Sequence, residues 1–189
     1  QVDVNVVDNN TAIINHKTRN NIAILQEMNA VYKSVFLNYG QDSKEALTID
    51  EYGDILVITT ERDEEAIQTY IDWKKEKGFE VYKEVVDPGT NVASLIQNIY
   101  DANPNLLYVQ LVGDWADIKS NLGGGENAPM DPMLGCVEGN DWYPELAIGR
   151  FSGSSPAQIA LQVDKTINYE KYTTETTDWY SESLGVASQ

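Results

Sequence analysis

A chain of 189 residues that is 42% hydrophobic and 10% aromatic can form one ordinary domain plus an extension, and is too apolar for a disordered tail. Its formal charge of -17 repels phosphate backbones, which argues against nucleic acid as a partner and suits divalent cations. A single cysteine, Cys136, excludes an internal disulfide and a thiolate-rich metal site, and no apolar run is long enough to span a membrane.

Residues 1–53 read as an extension and linker. Val2, Val4 and Val6 alternate with Asp3 and Asn5, the pattern of a strand with one buried face. Asn9-Asn10 and Asn20-Asn21 punctuate the chain, and Ile22 to Leu25 and Val31 to Leu37 are short apolar runs. The polar stretch from Gly40 to Glu45 reads as an exposed boundary loop.

From Asp54 the pattern becomes regular. Ile55 to Ile58 is continuously apolar, as in a strand buried on both faces. Ile67, Tyr70, Ile71 and Lys74 recur at helical spacing over 63–77, and Gly78 ends that helix. Val81 to Val85 is a second strand, followed by the turn Asp87-Pro88-Gly89. Thr90 or Asn91 caps a second helix with an inner face of Val92, Leu95, Ile96 and Ile99, which Pro104 closes. Leu106 to Val112 is the strongest strand. This alternation predicts right-handed βαβ units and a parallel α/β sheet. Asn121 to Gly125 lacks any phosphate-binding pattern and reads as a flexible surface loop. Leu146 to Gly149 is a further short strand. Ser155 caps a helix that starts at Pro156, with Gln158 reaching back and Ile159, Val163 and Ile167 buried. A new strand is expected at Leu184–Ala187.

In an open parallel sheet, functional groups gather at the carboxyl ends of the strands. The strand ending at Val112 runs into Gly113-Asp114. A second acidic group, Asp141 and Glu145, flanks Tyr143 within Gly139–Glu145, and an extended backbone there turns both carboxylates and the Tyr143 carbonyl toward one point. Asp114, Asp141, Glu145 and one carbonyl are the oxygen donors that Ca²⁺ takes. The same acids also fit a solvated loop or a general acid–base pair. Cys136 and His16 are the only thiol and imidazole. They lie in different regions, and Leu134-Gly135-Cys136-Val137 suits a small buried residue better than a nucleophile.

Several segments together carry a resemblance. They are Asp72-Trp73-Lys74, Lys77-Gly78-Phe79, Tyr108 to Asp114, Gly139 to Glu145, Ile148-Gly149-Arg150-Phe151-Ser152 and the helix ending at Tyr169-Glu170. Asp131 stands at a matching spacing before Asp141. In order and spacing, residues 54–189 resemble the gingipains, caspase-like cysteine endopeptidases. Val35 to Tyr39 resembles the end of their propeptide.

The resemblance implies a three-layer parallel-sheet sandwich of caspase/gingipain type, first subdomain only, at 54–189, behind a β-rich, propeptide-like extension at 1–53. It implies catalytic histidine and cysteine in a second subdomain, so no catalytic residue in this chain. It implies Ca²⁺ on Asp114, Asp141, the Tyr143 carbonyl and Glu145. Expected partners are the C-terminal catalytic subdomain and protein or peptide substrates, and the expected location is secreted or at a bacterial cell surface. The competing expectation is a secreted or surface binding module that keeps the fold without the chemistry. A receiver-like domain fits less well, because Thr59-Thr60-Glu61 lacks the clustered acids it needs.

Overall fold

A computed structural model describes residues 23–25, 33–34, 47–49, 53–123, 127–171 and 185. The expected strand at 2–6, the linker at 40–45 and His16 lie outside the described residues, as does the strand at 184–187 apart from Gly185. Ahead of the principal sheet, β1 (Ala23–Leu25) and β2 (Leu47–Ile49) pair in parallel, with Ile24 opposite Thr48.

The principal sheet is built around β3 (Asp54–Thr59), whose six residues are all buried. Such a strand has neighbours on both edges and cover on both faces, which explains its unbroken apolar run. On one side lies β4 (Val81–Val85), and on the other β6 (Leu106–Val112), which in turn pairs with β10 (Ala147–Phe151). All three pairings are parallel, with Ile55 opposite both Val81 and Tyr108, and Tyr108 opposite Ala147.

Alternation along β3 sorts the core into two halves. Ile55 and Val57 pack with Ile67, Tyr70 and Ile71 of α1 (Glu64–Glu76) and with Ile159, Val163 and Ile167 of α3 (Pro156–Lys171). Leu56 and Ile58 face the other way, onto Val92 and onto Ile96 and Tyr100 of α2 (Ala93–Ala102). The chain steps from β3 to β4, then back across β3 to β6. Keeping one crossover hand through that reversal moves the connection to the opposite face, so α1 and α2 cover different sides. The result is the expected three-layer α/β sandwich. Each wholly buried Leu or Ile in it is worth about 1.5–3 kcal/mol of transfer free energy.

Four local expectations are sharpened or corrected. The N-cap of α2 is neither Thr90 nor Asn91 but Val92, which makes no side-chain cap, although Asn91 just before it accepts the Ala93 N–H at 3.0 Å. Thr90 instead closes the preceding turn on the Asp87 carbonyl. Gln158 does reach back, but to Ser154 rather than Ser155, accepting both its N–H at 2.8 Å and its hydroxyl at 3.2 Å. The described part of the glycine-rich stretch includes a short strand, β8 (Leu122–Gly123), which pairs antiparallel with β9 (Ala128–Pro129). A Cβ at position 123 would fall on the Met130 sulfur, so the Met130 side chain would have to move to admit one. An equally short pair, β5 (Thr90–Asn91) with β7 (Ile118–Lys119), holds the start of α2 against the loop after β6. Finally, Cys136 is half-buried rather than enclosed.

Candidate metal-binding loop and the carboxyl edge of the sheet

Directly after β6, Gly113 has φ of 126°, a conformation that side chains rarely adopt, and a Cβ there would stand 3.2 Å from that of Asp117. The sharp turn exposes Asp114. Its Oδ1 accepts the Trp115 N–H at 2.7 Å, and its carbonyl accepts the amides of Asp117 and Ile118, each at 3.0 Å.

Two arginines tie this edge together. Arg62, just past β3, donates to Asp63 at 2.6 Å, to Asp117 at 2.8 Å and to the Gly153 carbonyl at 3.3 Å. These contacts, Asp63 first, hold its proton even more firmly than usual. One guanidinium thus bridges the segments that follow β3, β6 and β10. Arg150, within β10, forks onto Asp131 and also donates to the carbonyls of Gly113 and Ile118 at 3.0 and 2.9 Å. The Arg150 hydrogen bonds hold the Asp131 carboxyl below its usual range, against the opposing effect of burial. A charged residue inside a parallel strand, as at Arg150, was the sequence signal for such a hub; nothing in the sequence marked Arg62.

The second acidic group occupies a loop closed at its neck, where the amides of Glu145 and Leu146 both donate to the Gly135 carbonyl, at 2.8 and 3.2 Å. Glu145 Oε2 accepts the N–H groups of Val137 and Glu138 at 3.1 and 3.0 Å. Burial, with the charge of Glu138 adding to it, nevertheless pushes the Glu145 carboxyl up. Asp141 accepts the Tyr143 N–H at 2.9 Å. Glu138 is itself buried and accepts the Tyr100 hydroxyl at 2.6 Å, joining the loop to α2. At the tip, Trp142 and Tyr143 are 71% and 66% exposed.

The structure therefore brings Asp141, Tyr143 and Glu145 into one loop, while Asp114 belongs to the turn after β6. All four offer hard oxygen donors, the kind Ca²⁺ accepts. In their present arrangement, however, the carboxylates of Asp114, Asp141 and Glu145 each accept backbone N–H groups. Among the described residues, no group of three or more acidic, histidine or cysteine side chains is placed to hold a metal. The Cys136 thiol is pushed up by burial and by the charges of Glu145 and Asp141. That is the opposite of an activated nucleophile.

Comparison with known proteins agrees with this architecture. The family model described as Peptidase family C25 matches residues 48–189. Gingipain R2 of Porphyromonas gingivalis is 34% identical over 165 residues, which are 84% of this chain and 22% of that protein. Lys-gingipain of the same species is 29% identical over 143 residues, covering 70% of this chain and 8% of that one. A crystal structure of the Arg-specific cysteine proteinase gingipain R superposes with a TM-score of 0.60 at 32% identity, over 67% of this chain and 31% of its own.

Proposed function

The chain belongs to peptidase family C25, and on that footing we propose that it is the N-terminal scaffold of a gingipain-like cysteine endopeptidase, secreted or held at a bacterial cell surface. Peptide-bond hydrolysis then requires the second subdomain, whose cysteine thiolate attacks the peptide carbonyl while a histidine handles the proton. The observation that carries this reading is the coverage: residues that make up 84% of this chain correspond to only 22% of Gingipain R2. The raised pKa of Cys136 supports it, because the one thiol present is poorly suited to attack. This chain's part is structural: a parallel sheet whose carboxyl edge is locked by Arg62 and Arg150.

We further propose that Asp114, Asp141, the Tyr143 carbonyl and Glu145 hold calcium once the loop has adjusted. The cation would neutralise carboxylates that otherwise repel one another.

The test of the peptidase reading compares residues 1–189 with the polypeptide encoded by the complete gene on peptides with arginine or lysine before the scissile bond. The expected result is cleavage by the longer polypeptide alone. Turnover by residues 1–189 that vanishes in Cys136→Ala overturns it.

A further inference from the structure

In an open parallel sheet, ligands settle where the strand order reverses, in the crevice between the carboxyl ends of two neighbouring strands. Here that point lies between β3, whose connection leads to β4 on one side, and β6, whose connection leads to β10 on the other. It is filled by a side chain of the protein itself. Arg62, just past β3, turns its guanidinium into it.

Nη2 is the centre of the arrangement. It lies 2.6 Å from Asp63 Oδ2, 2.8 Å from Asp117 Oδ2 and 3.3 Å from the Gly153 carbonyl, so the segments after β3, β6 and β10 each give it one oxygen. Nε and Nη1 take the second oxygens of the same two carboxylates, at 3.1 and 3.2 Å. Asp117 Oδ2 also accepts the Asp114 N–H at 3.2 Å. The Asp63 side chain has no exposure, whereas that of Arg62 is 36% exposed, so the positive charge reaches a buried carboxylate from the solvent side. Both carboxylates converge over Gly113, where a Cβ would stand 3.4 Å from Asp117 Oδ2 and 3.6 Å from Asp63 Oδ2.

Two carboxylates and a carbonyl around one positive nitrogen are the donors that a hard divalent cation takes, with water completing its shell. The buried carboxylate needs a cation of some kind, because without one it is an uncompensated charge. We propose that this crevice is a divalent-cation site which the chain fills with its own Arg62 guanidinium, so that the sheet edge closes here without metal and takes one only when Arg62 is withdrawn. Its donors, Asp63, Asp117 and Gly153, are distinct from the calcium donors proposed above.

Titration of residues 1–189 with Mn²⁺ at neutral pH, read by calorimetry and thermal melting, tests it. Arg62→Ala should bind one more equivalent of Mn²⁺ than the wild type, and Mn²⁺ should raise its melting temperature by several degrees more. Arg62→Lys, which keeps a charge in place, should gain no equivalent. Adding Asp117→Asn to Arg62→Ala should remove the equivalent gained. Where Arg62→Ala does not fold by itself, Mn²⁺ should restore its circular dichroism. A folded Arg62→Ala that binds no more Mn²⁺ than the wild type overturns the inference, as does an unfolded one that Mn²⁺ leaves unfolded. Extra binding that survives Asp117→Asn, or that appears equally in Arg62→Lys, puts the metal elsewhere and overturns it too.

Discussion

Arg150 grips Asp131 with both arms of its fork, Nε to Oδ2 at 2.7 Å and Nη2 to Oδ1 at 2.9 Å, while Nη1 holds the Gly113 carbonyl and Nη2 also holds that of Ile118. Replacing it leaves a half-buried carboxylate and those carbonyls without their donor. Arg150→Ala should cost about 3 kcal/mol. Arg150→Lys keeps the charge but loses the fork, so it should recover less than half of that. Urea denaturation of residues 1–189 measures both, and equal stability of wild type and Arg150→Ala would remove the hub from the account.

Gly113 and Gly149 should respond oppositely to alanine. At Gly113 the backbone has φ of 126° and the new Cβ meets Asp117 Cβ at 3.2 Å, so Gly113→Ala should destabilise by about 1–3 kcal/mol. At Gly149 the nearest atom is the Gln110 side-chain oxygen at 3.1 Å, the far end of a flexible group that can swing aside. Gly149→Ala should therefore change the stability of residues 1–189 by less than about 0.5 kcal/mol. Thermal melts of the two variants side by side check the contrast.

Acid should loosen the clasp between α1 and α3. Burial alone would raise the Glu170 carboxyl, but the hydrogen bonds from Lys74, Lys77 and Trp73 outweigh it and hold it at about 2. The folded value lies below the ordinary 4.5, so the unfolded chain binds the proton more readily. The stabilisation is therefore fully present above that ordinary value and is lost as pH falls toward about 2. The urea midpoint should drop between pH 6 and pH 3, and drop less in Glu170→Gln. Parallel curves for the two proteins would show that the clasp does not contribute.

Calcium should raise the melting temperature of residues 1–189 by several degrees, and magnesium, with its tighter octahedron, by less. A ligand that binds only the folded chain adds RT ln(1 + [L]/Kd), about 2.7 kcal/mol at a hundredfold excess over Kd. Asp141→Ala should abolish the shift. Calorimetry without calcium heat, together with a melting curve indifferent to chelator, would leave Asp114, Asp141 and Glu145 as surface acids.

The sheet was legible because its residues obey short-range rules. Ile55 to Ile58 could only be a doubly covered strand, and the spacing of Ile67, Tyr70 and Ile71 marked α1 directly. The edge that joins the loops was not legible. Arg62 meets Asp117 across 55 positions, and Tyr100 meets Glu138 across 38, so no local pattern links them. Tyr100 was not counted in the inner face of α2, yet it is buried there because Glu138 supplies an acceptor for its hydroxyl. The acidic loop was half legible. Asp141, Tyr143 and Glu145 do share one loop, but the backbone donors that occupy Glu145 depend on the fold of residues 135–138.

The clasp on α3 also bears on how the chain is made. Trp73 Nε1 donates to Glu170 at 2.8 Å, and Lys171 Nζ sits 4.1 Å from the centre of the Trp73 ring, although Trp73 and Glu170 stand 97 positions apart. A ribosome delivers Trp73 and Lys74 long before their acceptor. Through that interval α1 can fold against β3 and β4, but its outer corner has nothing to close on. The last turn of α3 is thus a latch that shuts only when synthesis has passed the four described strands of the principal sheet, and a message broken anywhere before it yields a product with the corner still open.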